Sequence, residues 1–128
     1  MSPIITHLEY TYKKKESDVW VLNFEDIPVD KNKVKDQQIV HLSPNSVGGN
    51  HKHPRTEWFV GIGELYFVWL DESGEKHEEH MNPDGKILLI EVPSFLPHAV
   101  VNKSSDKVGV LFEMADGKMQ DVEPCKII

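Results

Sequence analysis

The sequence predicts an all-β barrel or sandwich, and three features predict it. Short runs rich in Val, Ile, Phe, Tyr and Trp recur along the chain, turn-setting residues fall between them, and no segment sustains three turns of helical periodicity. Helix is therefore expected to be scarce. Strands at this spacing point away from a parallel sheet with crossover helices.

The expected strands cover residues 18–24, 37–42, 56–62, 64–70, 86–92, 98–102 and 108–114. Pro44-Asn45-Ser46 with Gly48-Gly49 lies between the second and third. Gly61 with Gly63, Glu72-Ser73-Gly74, Pro83-Asp84-Gly85 and Ser104-Ser105-Asp106 mark later turns, because these residues tolerate positive φ or preset a bend. The stretches 65–70 and 87–90 are apolar at every position, so both of their faces need cover. One face would meet the barrel interior, and the other a second sheet or a second subunit. Trp58, Tyr66, Phe67, Trp69 and Phe112 sit at strand positions where core packing is the expected role.

Length and charge bound the function. A chain of 128 residues is expected to form one domain, 1–128, large enough to bury a core without staples. Cys125 is the single cysteine, which excludes an intrachain disulfide and fits a reducing cytoplasm. No apolar run reaches the roughly 20 residues of a membrane span, and the first residues lack a signal-peptide core. The net charge of -7 argues against nucleic acid and anionic membranes as partners. The one basic cluster, Lys13, Lys14 and Lys15, reads as a solvated turn.

The segment that carries chemistry is Gly48-Gly49-Asn50-His51-Lys52-His53-Pro54-Arg55-Thr56-Glu57. Side chains alternate along an extended strand, so His51, His53 and Glu57 share a parity and are expected on one side of it, provided Pro54 lets the chain continue extended. Imidazole with carboxylate, and no thiolate, suits divalent Fe, Mn, Ni, Cu or Zn rather than a structural zinc finger. Taken alone the His-x-His pair is equally a pair of polar loop residues. A second segment, Pro93-Ser94-Phe95-Leu96-Pro97-His98-Ala99-Val100-Val101-Asn102, adds a histidine at the start of an apolar run. His77 and His80 fall in an acidic stretch and are expected on a solvated hairpin arm, and His7 and His41 have no neighbours that suggest ligation. No nucleophile elbow, Walker loop or dinucleotide fingerprint is present.

The two segments resemble the two motifs of the cupin family. His51, His53 and Glu57 match the three ligand positions of the first motif, and His98 matches the fourth in the second, with Pro93 and Asn102 at the family's offsets. The resemblance implies a double-stranded β-helix, or jelly roll, with the motif-bearing barrel core at about 37–115. It also implies one divalent transition metal ion on His51, His53, Glu57 and His98, a small-molecule ligand and a homodimer. Three departures touch the turns. Phe95 stands where the family has Gly, seven residues instead of five separate Gly85 from Pro93, and Gly63 follows Glu57 one residue early.

Cupins include oxygenases, isomerases, epimerases and sugar-binding proteins, so the expected function is metal-assisted chemistry on, or binding of, a small oxygenated metabolite. Whether the site is catalytic, as an oxygenase or isomerase, stays open. The alternative is a metal-free sugar-nucleotide isomerase or epimerase, or a sugar-binding module. Gly49-Asn50-His51-Lys52-His53 followed by Thr56-Glu57-Trp58-Phe59 is similar to the small cupins of bacterial polysaccharide synthesis. There His51 or His53 would abstract the proton beside a carbonyl, and Tyr66 or another phenol would return it.

Overall fold

A computed structural model describes the whole chain, Met1–Ile128. It contains twelve strands: β1 (Ile4–Leu8), β2 (Tyr12–Lys14), β3 (Val19–Val21), β4 (Asp36–Leu42), β5 (Val47–Lys52), β6 (Glu57–Ile62), β7 (Leu65–Leu70), β8 (Lys76–His80), β9 (Ile87–Val92), β10 (His98–Asn102), β11 (Gly109–Ala115) and β12 (Glu123–Pro124). Helix is limited to three short 3-10 turns, the longest of three residues. No helix is long and apolar enough to cross a membrane.

Two five-stranded antiparallel sheets, ordered β1-β9-β6-β11-β4 and β12-β5-β10-β7-β8, face each other as a jelly roll. Their inner faces contribute the core: Phe59, Ile90, Val92 and Leu111 from the first, Leu65, Phe67 and Val100 from the second. Burying each such side chain stabilises the fold by roughly 1.5–3 kcal/mol before entropy is counted. The expected cupin jelly roll is the fold observed.

The chain's own flanking segments cover the outer faces of the all-apolar strands, a task the sequence reading left open to a second subunit. Ile27 and Val29 pack on Trp58, Val60, Ile87 and Leu89 outside the first sheet. Ile127 packs on Val68 and Ala99 outside the second. Apolar exposure persists at one end of the first sheet, at Ile39, Ile62 and Val110.

Several elements depart from the sequence expectation. The strand expected over 18–24 shrinks to β3, because Asn23 turns back to donate its backbone N–H to Thr11 Oγ1 and a 3-10 turn, Phe24–Asp26, follows. The β2–β3 hairpin docks through Trp20, which rests on Gly85. A Cβ at Gly85 would meet the Trp20 ring at 2.6 Å, so only glycine admits this contact. β1, β5 and β8 form although their side chains carry little alternation. β8, Lys-His-Glu-Glu-His, is a charged edge strand held by its ladder to β7, as edge strands often are.

The turn before His98, where Phe95 replaces the family's Gly, is strained. Phe95 has φ of 65°, in the left-handed region that penalises a Cβ. Its backbone is fixed there by a 2.8 Å hydrogen bond from Phe95 N–H to the His53 carbonyl, while the Ser94 hydroxyl donates to the Pro54 carbonyl. Two loops carrying candidate ligands are thereby tied together. Phe95→Gly is expected to be more stable than Phe95→Ala by about 1 kcal/mol, since both lose the same half-exposed ring and only glycine relieves the strain. Chemical denaturation of the two variants checks this, and equal midpoints would show that the turn is unstrained.

Candidate functional site

β5 lies in one sheet and β6 in the other, so the segment from His53 to Thr56 crosses between them. The expected placement of His51, His53 and Glu57 along one side of a single strand is therefore incorrect. Pro54 ends the extended run, and Glu57 opens β6 on the facing sheet. The side chains still converge, because the two sheets close on each other at this point. His51 sits opposite His98 in the β5–β10 ladder, beside a bulge that leaves Asn50 unpaired with φ of 59°. Such a bulge re-aims the next side chain. Gly49 has φ of +87°, and a Cβ there would press on the His98 carbonyl at 3.1 Å, so the close approach of β5 to β10 needs glycine.

The three imidazoles form a nearly equilateral group, with ring centroids 4.8, 5.0 and 5.2 Å apart. One nitrogen of each lies within 4.8 Å of the others. Glu57 Oε1 lies 3.0 Å from His53 Nε2 and 3.3 Å from His98 Nε2. His53, Glu57 and His98 are buried, and His51 opens onto a cavity of about 220 Å³. Gln38, Val40, Leu42, Phe59, Leu111 and Glu113 complete much of its wall. The structure thus brings the three candidate imidazoles together, with Glu57 against two of them, His53 and His98.

The proton positions say what the cluster lacks. His98 Nδ1 is 2.8 Å from the Leu96 carbonyl, which can only accept, so Nδ1 carries a proton and in the neutral ring Nε2 presents a lone pair to Glu57. His53 Nε2, His98 Nε2 and Glu57 Oε1 are buried with no aligned hydrogen-bond partner despite their short separations. Buried lone pairs facing one another are costly unless something positive lies between them. Donors about 3 Å apart also match neighbouring ligands that each sit about 2.0–2.2 Å from one ion. The donor set therefore fits a divalent cation.

Electrostatics agree with that assignment. Burial, then the neighbouring His98 and His53, push the His51 imidazole down to about 4, so it stays neutral with a free lone pair near neutral pH. Burial on its own would raise the Glu57 carboxyl, but hydrogen-bond donation and positive charge at the His53 and His98 rings outweigh it and hold Glu57 well below the usual carboxylate range, a pull that a cation would supply where both rings present lone pairs. Glu57 is ionised.

Two residues of the site were not singled out from the sequence. Arg55 is buried and donates to Glu57 Oε2 from Nε at 3.0 Å and from Nη2 at 2.7 Å. Its parity matches that of His51, His53 and Glu57, which is the one local signal it carried. Glu113, on β11, accepts from Arg55 Nη2 at 3.1 Å across 58 residues of sequence, a separation no local pattern encodes. Burial and the charge of Glu57 push Glu113 up to about 7, against the opposing pull of Arg55.

Other residues fall outside the site. Tyr66 shares the outer face of its sheet with Val68 and stacks on His80 at 4.5 Å, so it does not reach the cavity and the expectation that it returns a proton is not met. His77 Nε2 lies 2.7 Å from Asp71 Oδ2 on the β7–β8 hairpin, in line with its expected place on a hairpin arm. With Glu75 they place three donors together, but Asp71 Oδ1 already accepts from Ser73 and Glu75 within its own turn. Asn102 ties the turn after β10 to the Leu42 and Lys107 carbonyls and is structural.

No family model matches the chain, and no curated protein matches its sequence. Solved structures do resemble it. A dTDP sugar isomerase from Desulfovibrio desulfuricans G20 superposes with a TM-score of 0.73 at 14% identity, covering 96% of this chain and 84% of that one. QdtA, a sugar 3,4-ketoisomerase from Thermoanaerobacterium thermosaccharolyticum solved in complex with TDP, gives 0.63 at 12% identity over 91% of this chain and 83% of that one. The capsular polysaccharide assembling protein CapF from Staphylococcus aureus gives 0.63 at 16% identity over 72% of this chain, which spans only 27% of CapF. At these identities the likeness concerns architecture, and the chain has the cupin-type jelly roll.

Proposed function

We propose that this chain is a cupin isomerase or epimerase whose substrate is of the sugar-nucleotide type, with a hydroxyl-bearing carbon beside a carbonyl. The likeness to sugar-nucleotide isomerases supports this reading over that of a metal-binding cupin of unspecified substrate. The single observation that supports it is the convergence of the His51, His53 and His98 ring nitrogens, with Glu57 Oε1 against His53 and His98, beside a cavity that His51, Glu57 and His98 line. A cavity of about 220 Å³ is below the roughly 300–1,000 Å³ usual for drug-sized ligands, so the sugar ring would enter and the nucleotide would lie outside.

The orphaned lone pairs favour an ion at the cluster, which departs from a metal-free base. A divalent cation bound there would polarise a carbonyl oxygen and stabilise the negative charge that develops when the adjacent proton leaves. His51, His53, Glu57 and His98 would hold it. Glu113 borders the cavity and is the carboxyl placed to carry a proton to or from the carbon next to that carbonyl. Gln38, on the opposite side of β11, supplies an amide to orient a hydroxyl.

The substrate reading is tested with TDP-4-keto-6-deoxyglucose in deuterated water, following deuterium incorporation beside the carbonyl by NMR. Incorporation is expected with the parent protein and a fall of about 100-fold with Glu113→Gln, within the usual range for loss of a general acid–base group. No incorporation by the parent protein would overturn this substrate class.

Metal content is tested separately by elemental analysis of protein purified without added metal. About one ion per chain is expected, as is sharp loss on replacing His51, His53, Glu57 or His98 with Ala. His77→Ala should leave the content unchanged, and equal loss from His77→Ala would move the site to the hairpin.

Glu113 also gives a pH dependence. Its folded value, about 7, lies above the ordinary carboxylate value of 4.5, so the stability it contributes is present in full below 4.5 and is lost as pH rises through 7. Glu113→Gln cannot ionise, and its stability relative to the parent should rise between pH 5 and 8 in chelated samples. Denaturant midpoints across that range check this, and a constant difference would show that Glu113 ionises normally.

A further inference from the structure

We infer that Arg55 is a positioning residue that restricts Glu57 to ligation through Oε1 alone. The inference rests on the reading of the cluster as an ion site. Arg55 has five N–H donors, and each is spent. Nε and one Nη2 hydrogen go to Glu57 Oε2, at 3.0 and 2.7 Å, and the other Nη2 hydrogen goes to Glu113 Oε1 at 3.1 Å. Nη1 donates to Asp36 Oδ2 at 2.8 Å and to the Gly117 carbonyl at 3.1 Å.

A guanidinium with no free donor has nothing left to offer a substrate. What it does is immobilise one carboxylate oxygen. With Oε2 carrying two charge-assisted hydrogen bonds, only Oε1 remains to face His53 and His98. The planar fork is itself held from three sides, by β4 through Asp36, by β11 through Glu113, and by the loop at Gly117, two residues before Met119 on the cavity rim. A carboxylate free to rotate could place both oxygens on the ion and fill a position that substrate needs. Arg55 prevents that rotation.

Lysine keeps the charge but is a point donor that cannot reproduce the fork. Cobalt(II) titrated into the parent protein and Arg55→Lys, followed by d–d absorption, reads the coordination directly. The variant is expected to bind cobalt at least tenfold more weakly. Its d–d bands should also lose intensity, because a second carboxylate oxygen raises the coordination number. A merely structural role for Arg55 would lower the melting temperature and leave the spectrum of the bound ion unchanged, and that result overturns the inference. If Arg55→Lys does not fold, Asp36→Asn removes one outer support of the fork while keeping Arg55 and Glu57, and a several-fold loss of affinity with the same spectral trend is expected. An unchanged spectrum and affinity in that variant likewise overturns it. Failure of the parent protein to bind cobalt would remove the ion reading itself, an outcome distinct from binding that is indifferent to Arg55.

Discussion

A carboxylate buried to 1% exposure needs a polar or charged partner for each of its oxygens, and Glu57 is such a group. One oxygen is met by the Arg55 guanidinium, and the other faces His53 Nε2 and His98 Nε2 without an aligned hydrogen bond. Removing one partner of a buried charge pair costs roughly 3–5 kcal/mol, so this arrangement is not an incidental contact. The barrel is organised around the imbalance. Asp36, Glu113 and the loop at Gly117 gather around Arg55, and β5 and β10 bring three histidines to the remaining side.

The jelly roll makes the convergence possible. From β4 to β7 and from β8 to β12 successive strands alternate between the two sheets, so residues separated by a short turn can face each other across the interior, as His53 and Glu57 do. The loops that accomplish this are fastened to one another: Phe95 and Ser94 bond to His53 and Pro54, at the expense of a left-handed phenylalanine. Local strain is tolerated where it fixes a ligand-bearing segment, a common arrangement at functional sites. Outside the interior, flanking segments shield apolar faces that would otherwise be wet.

The sequence made the four candidate ligands legible because they lie in two short segments with fixed spacing. The reason for their convergence was not legible. Parity along one strand places His51, His53 and Glu57 together on paper, whereas the protein achieves it with a turn at Pro54 and a change of sheet. β8 was legible only as a solvated hairpin arm and not as a strand of the barrel, because ladder pairing to β7 asks nothing of its charged side chains. Glu113 could not be found, because its part in the site depends on β11 pairing with β6 and β4 over long sequence distances. Likewise, nothing in the strand pattern distinguishes an outer face covered by Ile127 from one covered by a second copy.

Asn50, the bulged residue beside His51, does more than relieve the ladder. Its side-chain oxygen accepts the backbone N–H groups of Ile127 and Ile128, both at 3.1 Å, and its own carbonyl accepts that of Cys125 at 2.8 Å. A segment more than 70 residues away in sequence is therefore clasped to the residue that aims a candidate ligand. The consequence is evolutionary. Drift at position 50 and drift in the spacing between β11 and Ile127 act on one clasp, so among descendants of this sequence the two should covary, while the intervening surface of 116–122 is free to diverge wherever it does not hold Arg55 or line the cavity.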